Sequence, residues 1–269
     1  MAETISPDAT FIFDVDGVIT DPHTKIPNPL IISFIVNELQ KHKPVAIGTG
    51  RSAMWLQERL IPLIQNQLSD VSLIDYLFLA GEKGSVTLTF LHGSPVTHID
   101  EGVVIPDEIR QKIQKKVKEY PTIFDNGKKT MVSIEIEGGE DEGKIKKEKE
   151  ALDAIALWID KVIQPAKHHL LVERSVIALD IQQARVSKRL VAQKFLEFLQ
   201  KKKIYPQKFV VLGDSPQDVH IAERVYDKGF EVIFGYVGSS ELEKEYHFPV
   251  VVSQNLFDKG IVELLQLAQ

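Results

Sequence analysis

Short apolar runs recur along the chain, and several end abruptly in polar residues. The stretch Phe11–Thr20 reads FIFDVDGVIT, so an apolar run meets Asp14, Asp16 and Gly17. Pro44–Gly48 (PVAIG) leads straight into Thr49-Gly50-Arg51. Tyr76–Ala80 leads into Gly81-Glu82-Lys83-Gly84, and Phe209–Leu212 into Gly213-Asp214. Runs of this length predict buried strands. Between the first three lie helical patterns. Leu30–His42 carries Leu30, Phe34, Val36 and Leu39, and a second helix after Ser52 carries Met54, Trp55, Leu60 and Leu63. Ser52 can cap that second helix, and Pro62 strains or ends its regular part. Alternating strand and helix predicts a parallel sheet with helices on its faces.

The pattern then changes. Ser85–Leu91 and Val96–Ile99 read as a hairpin around His92-Gly93-Ser94-Pro95. Pro106–Tyr120 is helical, with Ile109, Ile113 and Val117 every four residues. Met131–Glu137 alternates as a half-buried strand does. Gly138–Lys149 is densely charged and reads as an exposed loop leading into a helix over Lys146–Val162. Leu170–Val172 and Val176–Ile181 are two further strands. Residues 86–182 therefore read as an inserted α+β domain with an antiparallel sheet. The first pattern resumes with a helix over Lys188–Lys201, the Phe209–Leu212 strand and a helix over Pro216–Tyr226. Strands at Glu231–Tyr236 and Pro249–Val252 precede a closing helix, Asn255–Leu267. The expected fold class is α/β: a Rossmann-like parallel-sheet core from residues 1–85 and 183–269, interrupted by the insertion.

Composition narrows the function classes. The 269 residues are 43% hydrophobic and 26% charged, as in a soluble globular protein, and the length permits two domains. A net charge of −6 gives no reason to expect nucleic acid or an anionic membrane as partner. The absence of cysteine excludes disulfides, thiolate nucleophiles and cysteine-ligated zinc. No apolar run reaches membrane-spanning length, and MAETISPDAT lacks the basic-then-apolar order of a signal peptide. A cytoplasmic location is expected. His168-His169 has no metal-binding spacing around it.

In an open parallel sheet, ligands bind beyond the carboxyl ends of the strands. The residues to collect there are Asp14 and Asp16, then Thr49-Gly50-Arg51, then Asp214-Ser215 with Asp218. Two carboxylates as close as Asp14 and Asp16 repel by roughly 4 kcal/mol at about 4 Å and an effective dielectric of about 20. A metal ion, a shared proton or a phosphate-handling site would offset that; the alternative is two aspartates in an exposed turn. Asp14, Asp16 and Asp214 offer the oxygen donors that magnesium takes. Thr49 offers a hydroxyl, and backbone N–H groups near Gly50 can cradle an anion.

Taken in order, these motifs resemble those of the haloacid dehalogenase superfamily of phosphatases. FDVDGV resembles the first motif, TGR the second and GDSPQD the fourth. VSKRLVAQKFL resembles the third and nominates Lys188. The insertion between the second and third resembles the C2-type cap of subclass IIB. Within that subclass the chain is similar to the Cof, sucrose-phosphate and trehalose-phosphate phosphatases, and LAGEKGSV resembles the segment leading into their cap. The resemblance implies a Mg2+-dependent phosphatase acting on a small phosphorylated metabolite, with a sugar phosphate expected. It implies that Asp14 is the nucleophile, that Asp16 is the acid and then the base, and that Lys188 neutralises charge and orients Asp14. Thr49, Gly50 and Arg51 would face the substrate, although Arg51 could instead pair with a carboxylate. Asp14, Asp16 through its backbone, Asp214 and Asp218 would serve the metal, Asp218 alternatively supporting Lys188. The cap would close over the core and choose the substrate. Gln217 departs from the asparagine common before the last aspartate. Two alternatives are a phosphomutase and a catalytically silent module on the same fold. The sequence names neither the substrate nor an oligomeric state.

Overall fold

The computed structural model describes residues 8–139, 141–242 and 245–266. The chain divides into two compact units, one from residues up to 98 and from 187 onward, the other from residues 99–186.

The first unit begins as the apolar runs predict. Strands β1 (Thr10–Phe13), β2 (Val45–Gly48) and β3 (Leu77–Gly81) are buried throughout. Helices α1 (Pro29–Gln40), α2 (Ala53–Arg59) and α3 (Ile61–Gln65) separate them. Asn28 caps α1 by accepting from Leu30 N at 3.0 Å, with Pro29 in the first turn. Ser52 Oγ accepts from Trp55 N at 3.2 Å at the start of α2, and Pro62 sits where α3 takes over.

Strand β4 (Val86–Leu91) then turns back antiparallel on β3, pairing Leu79 with Leu88 and Gly81 with Val86. Strand β5 (Ser94–Ile99) follows a tight turn in which His92 and Gly93 have φ of 51° and 79°, the geometry that suits the twist of a hairpin. Here the structure departs from the sequence reading. The hairpin expected to open the insertion at residue 86 belongs to the large sheet, because Val86, Leu88 and Phe90 bury their side chains in its core. The boundaries lie after 98 and 186, not after 85 and 182. The core sheet is accordingly mixed, parallel except for the edge that this hairpin adds.

The second unit is an antiparallel sheet with helices on one face. It contains α4 (Asp107–Val117), β6 (Ile123–Phe124), β7 (Val132–Glu135), α5 (Glu142–Trp158), β8 (Leu170–Arg174) and β9 (Ala178–Gln183), with sheet order β6-β7-β9-β8. Ile109, Ile113, Leu152 and Ile155 from the helices pack on Val132, Ile134, Leu179 and Ile181 from the sheet. Much of the charged stretch read as a loop is the first half of α5. Asp141 starts it by accepting from Gly143 N and Lys144 N at 2.8 and 3.1 Å, and Glu148 is buried inside it. A capped helix tolerates such a run, because charges four apart pair on its surface.

The first unit resumes with α6 (Lys188–Lys202), β10 (Lys208–Gly213), α7 (Val219–Tyr226), β11 (Glu231–Tyr236), β12 (Val250–Val252) and α8 (Phe257–Gln266). Leu267, the expected end of the last helix, lies outside the described residues. The sheet order is β12-β11-β10-β1-β2-β3-β4-β5, so β1 lies between β10 and β2. Phe11 and Phe13 face a core shared with α1, α2, α3 and α8, while Ile12 faces one shared with α6 and α7. No described helix is long and apolar enough to cross a membrane.

Candidate active site

The strand order brings the polar tails of β1, β2 and β10 side by side, since Phe13 pairs with both Ile47 and Leu212. Asp14 follows β1 directly, and its backbone N donates to Leu212 O at 3.0 Å. The chain then curls around the carbonyl of Val15, which accepts from Ile19 N and Thr20 N, both at 2.9 Å. Gly17 makes this turn with φ of 71°, and a Cβ there would collide with the Asp214 carboxylate. Glycine is thus required twice at this position, for conformation and for space.

Asp14 is buried, and beside it lies the Lys188 ammonium from the first residue of α6, which donates to both Asp14 Oδ1 and Asp218 Oδ1. Asp218 is buried too, and its other oxygen accepts from Ser215 N at 3.0 Å and Ser215 Oγ at 2.7 Å. Both its oxygens are thus engaged, one by Lys188 and the other by Ser215. Carboxylate oxygens of Asp14, Asp214 and Asp218 lie within 4.8 Å of one another. Lys188 joins this cluster, whereas Lys194 lies farther along α6, 4.0 Å from Glu197.

Charge in this nest does not balance, with three carboxylates against one ammonium. Burial pushes the Asp14 pKa well up; Asp218 and Asp214 add to that, and Lys188 opposes it. Asp214 is pushed up to about 7 by burial first and by Asp218 next. Burial alone would lower Lys188, but contact with Asp14 and Asp218 raises it above its usual value and keeps it charged. The carboxylates of Asp14, Asp214 and Asp218 form an acidic donor set. Its hard carboxylate oxygens, at this spacing, fit a magnesium-type ion.

Asp16 takes another direction. Arg51 grips its carboxylate with two hydrogen bonds, Nε to Oδ2 at 2.9 Å and Nη2 to Oδ1 at 2.6 Å, and Lys25 Nζ stands 3.4 Å from Oδ1. Arg51 is stacked over the Trp55 ring at 4.4 Å. Burial would raise the Asp16 pKa, but Arg51 and then Lys25 bring it below the usual carboxylate value. The Asp16 side chain is therefore outside the carboxylate trio, in contrast to Asp14 and Asp214. Of the two placements that the sequence allows Arg51, the structure shows the carboxylate pair.

Thr49 N donates to Ala80 O at 2.8 Å, and Thr49 Oγ1 accepts from Arg51 N at 3.1 Å. Its hydroxyl proton can then be donated elsewhere. Gln217 is exposed, and Asp218 alone of that dipeptide enters the nest. Sequence reasoning missed Ser215 as the partner of Asp218, Lys25 as a partner of Asp16, and the buried Lys83 beside the Thr49–Arg51 loop. The sequence does carry a signal for Lys83, in the Gly81-Glu82-Lys83-Gly84 turn after a core strand.

No family model matches the sequence, and no curated protein matches it either. Solved structures do. A haloacid dehalogenase-like hydrolase from Bacteroides thetaiotaomicron aligns with a TM-score of 0.66 at 11% identity, covering 96% of this chain and 98% of that one. The chain has the haloacid dehalogenase-like hydrolase fold. The C-terminal domain of trehalose-6-phosphate phosphatase from Candida albicans aligns with a TM-score of 0.65 at 14% identity, over 98% of this chain and 92% of that one. Sucrose-phosphatase from Synechocystis, solved with sucrose and phosphate, aligns at 0.54 and 14% identity, over 96% and 97%. In this fold the nest described above stands at the carboxyl end of the central strands, where α/β sheets bind ligands.

Proposed function

We propose that the protein is a phosphoric monoester hydrolase of the haloacid dehalogenase superfamily, acting on a small phosphorylated metabolite, specifically a sugar phosphate. The observation that carries this reading is the Lys188 ammonium shared between Asp14 and Asp218, with Asp214 close by. A buried carboxylate held in place by a lysine, beside a hydroxyl and a glycine-containing loop, suits attack on phosphorus. The overall alignment with a sugar-phosphate phosphatase structure supports the choice of substrate class.

Asp14 supplies the oxygen that bonds to phosphorus as the bond to the leaving oxygen breaks, giving an aspartyl-phosphate. Asp16 protonates the leaving oxygen, then takes a proton from the water that attacks the aspartyl-phosphate and frees phosphate. The Arg51 and Lys25 contacts favour the ionised Asp16, so its acid role requires that this pairing open. Thr49 and the Gly50 N–H hold phosphoryl oxygens, and Lys188 neutralises charge and fixes Asp14. Asp14 and Asp214 would hold a magnesium ion, with Asp218 behind Lys188 and the Asp16 backbone at the same turn. When bound, that ion supplies charge neutralisation for the phosphoryl oxygens.

The 99–186 unit is the part we assign to substrate selection. On the sheet face away from its helices, Ser133 Oγ donates to Asp180 Oδ1 at 2.5 Å and Lys128 Nζ stands 3.4 Å from the same oxygen. The test is phosphate release from a panel of phosphorylated metabolites with Mg2+ present. Selective turnover of sugar phosphates that stops on chelation is the expected result; no release from any member, or full activity in chelator, would overturn the reading.

A further inference from the structure

The turn after β3 has a conformation that its sequence does not favour. Glu82, Lys83 and Gly84 have φ of 51°, 57° and 96° in succession. Glycine and asparagine take left-handed backbone readily, whereas glutamate and lysine seldom do. Neither charged residue is at the surface: Glu82 is 0% exposed and Lys83 is 6% exposed.

The surroundings fix this turn. Glu82 N donates to Arg51 O and Lys83 N to Thr49 O, both at 2.8 Å, and Ser85 Oγ donates to Glu82 O at 2.7 Å. The flanks are tight: a Cβ would stand 2.8 Å from Ala53 N at Gly81, and 2.7 Å from Val191 N at Gly84. The turn is thus wedged between the Thr49–Arg51 loop and the first turn of α6, which carries Lys188. The Lys83 side chain runs beside the loop, and its Cε is 4.0 Å from where a Cβ of Gly50 would stand. Backbone held in an unfavoured region by its surroundings is concentrated at functional sites, and here the strained residue bears a cation.

We propose that Lys83 is a further substrate-binding residue, whose ammonium helps to hold the phosphoryl oxyanion at the Thr49–Gly50 loop. The proposal rests on the phosphatase reading above. Lys188 holds Asp14 and Asp218 from one side, and Arg51 is turned to Asp16. Lys83 brings a positive charge to the Gly50 side of the loop, and N–H donors from an ammonium to an oxyanion are among the stronger hydrogen bonds. The strained backbone fixes where the side chain departs from the chain.

The test separates this role from a purely structural one. Lys83→Asn keeps a residue that accepts left-handed backbone and removes the ammonium; Lys83→Arg keeps the charge; Lys83→Gly serves if the asparagine variant does not fold. Binding of inorganic phosphate in the presence of Mg2+ is measured by calorimetry, alongside phosphate release and thermal midpoint. Lys83→Asn should weaken phosphate binding roughly tenfold or more, with Lys83→Arg recovering most of it. A folded Lys83→Asn or Lys83→Gly variant that binds phosphate as the unaltered protein does would overturn the proposal. Failure of the unaltered protein to bind or release phosphate would instead overturn the phosphatase reading, and this proposal with it.

Discussion

Asp14 and Asp16 are separated only by Val15, yet they occupy opposite electrostatic settings. Asp14 lies in a buried nest where carboxylates outnumber cations, and its pKa is pushed up. Asp16 lies in a half-open pair where two cations face one carboxylate, and its pKa is lowered. The difference arises from the turn around Val15, which directs the two side chains to different neighbours. Asp14 meets groups from β10, α6 and α7, and Asp16 meets Arg51 after β2 and Lys25 in the loop before α1. The excess negative charge in the first setting suits a site that receives a cation, while the paired charge in the second suits a carboxylate whose proton affinity is set by an adjacent arginine.

The strongest way to break this comparison is to neutralise Asp14. Asp14→Asn should lower phosphate release by at least about a thousandfold, with the fold retained by circular dichroism. Equal loss from Asp14→Asn and from a distant carboxylate substitution would erase the distinction. Next comes Lys188→Met, which leaves Asp14, Asp214 and Asp218 without their ammonium. Breaking a buried pair this way costs about 3–5 kcal/mol. Adding Asp218→Asn should restore part of the denaturation midpoint, and simple additivity of the two changes would show that the groups are not coupled.

Arg51→Ala examines the other setting. The folded pKa of Asp16 is below its unfolded value, near 3.9, so the pairing contributes stability above that pH, which is lost as pH falls through the lowered value. The pair is partly exposed, which limits its contribution to about 1 kcal/mol or less. Thermal midpoints of the two proteins should therefore differ slightly at pH 7 and converge as the pH falls through the lowered Asp16 value. A gap that persists at low pH would mean that Arg51 acts through its stack on Trp55.

The smallest effect is expected at Glu263, a carboxylate held by neutral donors. It accepts from Asn255 Nδ2 at 2.9 Å, Ser253 Oγ at 2.8 Å and Gln254 N at 3.2 Å, and these bonds lower its pKa to about 2. Its folded pKa is depressed, so its stabilisation is present above about pH 4 and lost as pH falls through about 2. Glu263→Gln should cost about 1 kcal/mol at pH 7 and leave turnover unchanged, a control for both aspartates.

Much of the fold is legible because buried parallel strands leave continuous apolar runs, and β1, β2, β3 and β10 all do. The hairpin β4–β5 was legible as a hairpin but not as part of the core, since alternation reports a half-buried strand without naming its partner. The start of α5 was hidden because a charged run resembles a loop until Asp141 is seen to cap it. In the site, Asp14, Thr49 and Asp214 follow apolar runs and could be collected from the sequence. Lys188 needed the family resemblance, since a lysine at a helix start has no local mark.

The sequence by itself determined which elements form and which residues stand at the strand ends, because hydrophobic period and strand-terminal polarity are local properties. Tertiary structure alone decided the pairing of charges. Lys188 is 174 residues from Asp14, and Arg51 is 35 from Asp16. Strand order brings these groups within hydrogen-bonding distance, and Coulomb interaction and desolvation depend on that distance and on burial, neither of which is written in the spacing along the chain.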